Sequence, residues 1–123
     1  MKNQFVTLLL MLMLMLISFF NSSCSFNKNK EDVTMLLKCN NLSDKMNAYY
    51  IIGENRDTNY IDSLLTNLDD PRISNNLRFK GMSIYQCKIV ALKKISKKNP
   101  PNEINNRPDS ANIKYYLSWA RHR

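Results

Sequence analysis

Glycine and histidine are nearly missing from this chain, which has two glycines, four prolines and one histidine in 123 residues. So few glycines disfavour a turn-rich β-sandwich, because its many tight connections need residues that tolerate unusual backbone angles. Gly53 and Gly81 are also too far apart to build a phosphate-cradling loop. The lone His122 is the next-to-last residue and sits among arginines. It has no second histidine for a triad, and with Cys39 and Cys87 it forms no zinc spacing. Asp69 and Asp70 are adjacent before Pro71 and read as a helix exit, while Asp57 and Asp62 do not share a helix face cleanly. These shortages argue against an enzyme. No catalytic residue, metal, cofactor or small-molecule substrate is expected.

Acidic groups are scarce in the second half. Residues 24–71 carry five basic and eight acidic side chains, whereas residues 72–123 carry twelve basic and two acidic. The C-terminal half, at net +10, suits either an anionic partner or a well-solvated lysine face. Charge is wholly absent from Phe5 to Phe20, "FVTLLLMLMLMLISFF", where only Thr7 and Ser18 are polar. As a helix these residues would reach about 24 Å, short of the roughly 30 Å hydrocarbon core of a bilayer. One basic residue, a short apolar run and then small residues fit an export signal. An uncleaved N-terminal helix, or a secreted chain, is the alternative.

The run ends in "FNSSC", and apolar run, small residues and cysteine together resemble a bacterial lipoprotein signal peptide. Asn21 stands where that family usually has leucine. The resemblance implies removal of a leader at 1–23, acylation of Cys24 and attachment to the membrane. Ser25 after the cysteine implies the outer membrane of the cell envelope. Two or three acyl chains make such attachment stable, where one holds only marginally. Export also removes nucleic acid from the expected partners, despite tyrosines interleaved with basic residues. With Cys24 acylated, Cys39 and Cys87 remain. Either they form a disulfide closing a loop of about 49 residues, worth roughly 4 kcal/mol, or they are two small buried hydrophobes.

Residues 24–30 read as a polar tether, followed by a helical domain over 31–121. Local signals predict about five short helices. The first covers 31–39. The second covers 43–54, with Ser43 as cap and Gly53 as terminator. The third covers 57–71, capped by Asp57 or Thr58, with Ile61, Leu64, Leu65 and Leu68 on one stripe. The fourth covers 83–96 and opens with Ser83 and Gln86 as a capping box. The last covers 109–123, with Ile113, Tyr116, Leu117 and Ala120 inward. Residues 72–82 and 97–108 read as loops. The class is therefore all-α, built of antiparallel hairpins. "AYYIIGENRDTNYIDSLLTNLDD" and "MSIYQCKIVALKKI" followed by "ANIKYYLSWA" resemble two HEAT repeats, which implies an α-α superhelix that recognises a protein through a groove.

Candidate contacts for a partner or an anionic surface are Lys88, Lys93, Lys94, Lys97 and Lys98, with Tyr115 and Trp119 as an exposed aromatic pair. The expected role is a lipid-anchored, non-enzymatic envelope protein that binds another protein. A toxin-neutralising immunity lipoprotein, or a basic module docking on anionic lipid or wall polymer, is the alternative.

Overall fold

The computed structural model describes residues 28–123. The leader at 1–23, Cys24 and the start of the tether lie outside the described residues. The chain divides into two compact units, residues 1–32 and Val33–Arg123, and the fold described below is that of the second. It is all-α. Helices α1 (Lys28–Lys38), α2 (Leu42–Asn55), α3 (Ile61–Leu65), α4 (Ile84–Ser96) and α5 (Ser110–Arg121) follow in order, with single 3-10 turns at Thr58–Tyr60 and Leu77–Phe79. Among the described residues, the one β-type pairing is an antiparallel bridge between Ile73 and Ser83. Helix α1 includes Lys28 to Lys30, so the last residues read as tether are already helical.

Helix α4 is the centre. It packs along α2 and also touches α3 and α5, and α3 touches α5. Its own sequence explains this, because Ile84, Tyr85, Cys87, Ile89, Ala91 and Leu92 are buried over most of its circumference. Met46, Ile52, Ile61, Leu64 and Tyr116 complete the core around it. A helix apolar nearly all round has to be covered on every side, and the other helices supply that cover.

The helix ends show where local signals succeed and fail. Ser83 caps α4 as expected, its Oγ accepting from the Gln86 amide at 3.1 Å. The next orphan amides are met from the preceding loop. Ile84 N donates to Arg72 O and Tyr85 N to Asp70 O, both at 2.9 Å. Asp109 caps α5, accepting from Asn112 N at 2.9 Å. Asn41, rather than Ser43, caps α2 and accepts from the Ser43 amide. Ser43 instead shares a hydrogen bond with Ser74 Oγ.

Gly53 does not end α2. It lies inside the helix because α4 comes so close: a Cβ there would sit 2.9 Å from Ala91 Cα. The helix ends at Asn55, two residues later, and Arg56 follows as its cap. There Arg56 turns left-handed at φ 49° while Arg56 N reaches Gly53 O and Asp57 N reaches Ile52 O. That is a Schellman motif without its usual glycine, and the strained residue costs about 1 kcal/mol.

The helix expected over 57–71 is much shorter. Asp57 caps the 3-10 turn Thr58–Tyr60, accepting from Asn59 N, and the α-helix that follows starts from Tyr60 with no side-chain cap. After Leu65, Thr66 becomes extended and Asn67 takes φ 48°. Leu68 still reaches the core, but from a turn. The early stop leaves the carbonyls of Thr66 and Asn67 without helical partners, and they become acceptors for a residue of α4.

Candidate functional site

That residue is Lys88. The basic run had been expected to face solvent or a partner, but Lys88 is 3 % exposed. Its Nζ donates to Thr66 O at 2.5 Å and lies 5.0 Å from the centre of the Tyr49 ring. Burial pulls its pKa down to about 8, against the opposing pull of Asp70. Lys88 therefore closes the frayed end of α3 from within and leaves the surface set. Lys94 is half-buried and paired with Glu54 across the groove between α4 and α2. Lys93, Lys97 and Lys98 remain exposed.

Tyr115 and Trp119 had been placed off the apolar face of the last helix. The buried stripe keeps the expected Tyr116, fully covered, with Ile113 and Ala120 against the core, and adds the fully covered Asn112. Tyr115 and Trp119 flank the stripe, partly buried, and each meets the Tyr116 ring edge-on, at 5.1 and 6.3 Å between centroids. Their outer sides nevertheless join a shallow concavity with Lys98, Ser118, His122 and Arg123. Three of the residues singled out from sequence (Lys98, Tyr115 and Trp119) are thus brought together. The polar atom that organises this end, Asn112, gave no signal in the sequence.

A second concavity was not foreseen. It lies between α2 and α4 under the 72–82 loop, with a volume of about 360 Å³. Gly53 and Ala91 form its narrow floor, and Tyr49, Phe79, Met82, Cys87 and Val90 line it. Tyr50, Arg78 and Lys94 stand at the mouth. Arg78 and Lys94 both lie against the Tyr50 ring, at 4.9 and 5.4 Å from its centroid. Arg78 also sits 5.5 Å from the Phe79 centroid and donates to Asn47 Oδ1 at 2.9 Å. Phe79 is buried and pins the loop over the groove. Met82 and Cys87, either side of the start of α4, sit in this wall. The double tyrosine in α2 was visible in the sequence, but nothing there placed a loop arginine over it.

The two cysteines considered for a disulfide are free thiols. Cys39 donates to the Met35 carbonyl at the end of its own helix, and Cys87 is buried in the groove wall. Burial pushes the Cys87 thiol up to about 12, so it stays protonated and is a poor nucleophile near neutrality. Among the described residues no group of three or more His, Cys, Asp or Glu is placed to hold a metal, and no helix is long and apolar enough to cross a membrane. The chain matches no family model, no curated protein and no solved structure, so its functional reading rests on the residues themselves.

Proposed function

We propose that this protein is a lipid-anchored, non-enzymatic component of a bacterial envelope whose small helical domain binds another protein. The observation that carries the reading is the junction at Cys24. An uncharged apolar run too short to span a bilayer comfortably leads to two serines and then a single cysteine. In this reading α2–α3 and α4–α5 are two HEAT-like hairpins. The packing of α2 along α4 and the contact of α3 with α5 support the stacking of the two pairs, while the five-residue α3 rests on α4 and not on α2. The partner surface is the aromatic and basic concavity of Lys98, Tyr115 and Trp119. Interfaces favour such rings at their centre because they bury much area with few torsions to fix.

The anchor is tested by mass spectrometry of the N-terminus of the full chain recovered from membranes, with Cys24→Ser as control. A chain beginning at Cys24 and carrying acyl groups is expected. An intact leader or an unmodified thiol at position 24 overturns the reading. Partner binding is tested by co-purification before and after Trp119→Ala, which should weaken recovery of an envelope protein. A second reading, docking on anionic lipid or wall polymer, draws on exposed Lys93, Lys97 and Lys98. It predicts release of the Cys24→Ser chain from envelope fractions by high salt.

A further inference from the structure

The groove between α2 and α4 has walls of carbon and a cationic mouth, and the two together define the chemistry of an occupant. Apart from the tyrosine hydroxyls and the Cys87 thiol, its inner lining offers apolar atoms. Its volume of about 360 Å³ falls at the small end of ligand pockets and equals about a dozen water-sized groups. A peptide main chain buried there would lose hydrogen bonds to water that this lining does not replace. A short hydrocarbon loses nothing.

The mouth holds two cations and one acid. Lys94 is matched by Glu54. Arg78 has no carboxylate partner among the described residues, yet its guanidinium is fixed by Asn47 and by the Tyr50 and Phe79 rings. An arginine held in place without a counter-charge presents donors in a rigid fork that fits a carboxylate at two points. The mouth thus carries one net positive charge beside a slot for about ten apolar heavy atoms. We propose that this groove binds a medium-chain acyl carboxylate, with the chain along Val90 and Met82 and the carboxylate on Arg78.

The test uses the full-length protein in phosphatidylcholine nanodiscs, titrated with octanoate and with the uncharged octanamide by calorimetry, with empty nanodiscs as blank. Octanoate should bind saturably at one site, about tenfold tighter than octanamide. Arg78→Gln should erase that preference and leave octanamide binding in place. Val90→Trp, which fills the slot, should abolish both. Arg78 is exposed, so its variant decides the matter even if the filled-groove variant fails to fold. The proposal is overturned by non-saturable octanoate binding, by equal affinities, or by a preference that survives in Arg78→Gln. It is also overturned if an apolar peptide with a free C-terminal carboxylate binds the groove more tightly than octanoate.

Discussion

The two long connections around α4 are held by different physics. The 66–83 connection is stitched through its backbone and two buried apolar plugs, Leu68 and Phe79. Ser74 N bonds Met82 O, Arg72 O and Asp70 O receive the first amides of α4, and Phe79 fills the space above α2. The 97–109 connection has no comparable plug, only the partly buried Ile104. It is held by side-chain amides and hydroxyls. Asn112 Oδ1 accepts from Asn102 N at 2.9 Å, and its Nδ2 donates to Asn102 O and to Tyr85 OH. Asn102 reaches Asp109, and Tyr116 OH reaches Lys98 O. One loop depends on hydrophobic anchorage, the other on satisfaction of a buried polar group. A tight connection therefore need not contain regular structure or apolar residues.

The comparison breaks most visibly at Phe79. Phe79→Ala should cost about 3 kcal/mol, the lower part of the range for a buried aromatic, because the adjoining groove already leaves one side of the ring unpacked. Urea unfolding of the variant should show this loss, with faster amide exchange at Ser74 and Met82. A loss under about 1 kcal/mol would mean that the backbone hydrogen bonds and Leu68 hold the loop without it.

Asn112→Ala tests the other connection and should cost about 2 kcal/mol. The buried Tyr85 hydroxyl and the part-buried Asn102 amide and carbonyl would lose their partner, and a buried unmet group costs more than the bond it replaces contributes. Exchange should then rise around Asn102 and stay unchanged at Ser74. Asn112→Asp keeps the acceptor but sets a buried, unpaired carboxylate against the Asn102 carbonyl, so near neutrality it should cost more than the alanine variant. Depression of the Asp109 pKa by the Asn112 amide marks the same cap, and the main-chain donor survives either substitution.

Much of the scaffold was legible because helix ends are written in short-range chemistry. Ser83 caps α4 as its side chain suggests, Asp57 caps the 3-10 turn ahead of α3, and the apolar spacing of α4 marked the central helix. Misreadings fall where a distant segment overrides a local signal. Gly53 looks like a terminator until Ala91 of α4 is brought against it, and Lys88 looks solvated until α3 stops early and offers carbonyls. The face of α5 was read with Ile113, Tyr116 and Ala120 inward, as they are, but not with Asn112, a polar residue that hydrophobic patterning cannot assign inward. The groove was illegible for the same reason, since Arg78 reaches Tyr50 only through the course of an irregular loop.

Gly53→Ala sharpens the contrast between close approach and helix propensity on the groove floor. A Cβ placed 2.9 Å from the Ala91 Cα meets backbone, so the helices must separate, at about 2–3 kcal/mol for overpacking. Alanine regains about 1 kcal/mol as the better helix former. The expected net loss is about 1–2 kcal/mol by thermal unfolding, and a stabilised variant would show that α2 and α4 slide freely.

Lys88 gives the smallest effect per step, and it is read through pH. Its folded pKa lies near 8, below the ordinary value of 10.5. Between those values the unfolded chain holds a proton that the folded chain has released, so stability rises with pH across this window. From pH 8 to 9 the gain should be about 1 kcal/mol, since a full proton corresponds to about 1.4 kcal/mol per pH unit. Higher in the range, Cys87 and Tyr116 act oppositely. Burial pushes each up to about 12, so the unfolded chain ionises them first and stability falls as pH climbs. The clean measurement is therefore the difference between wild type and Lys88→Met, because Cys87 and Tyr116 are common to both. That difference should slope upward from pH 8 and flatten above about 10.5. A flat difference would mean that the Thr66 and Asn67 carbonyls hold Lys88 charged throughout, and the end of α3 would then be tied by a full ammonium.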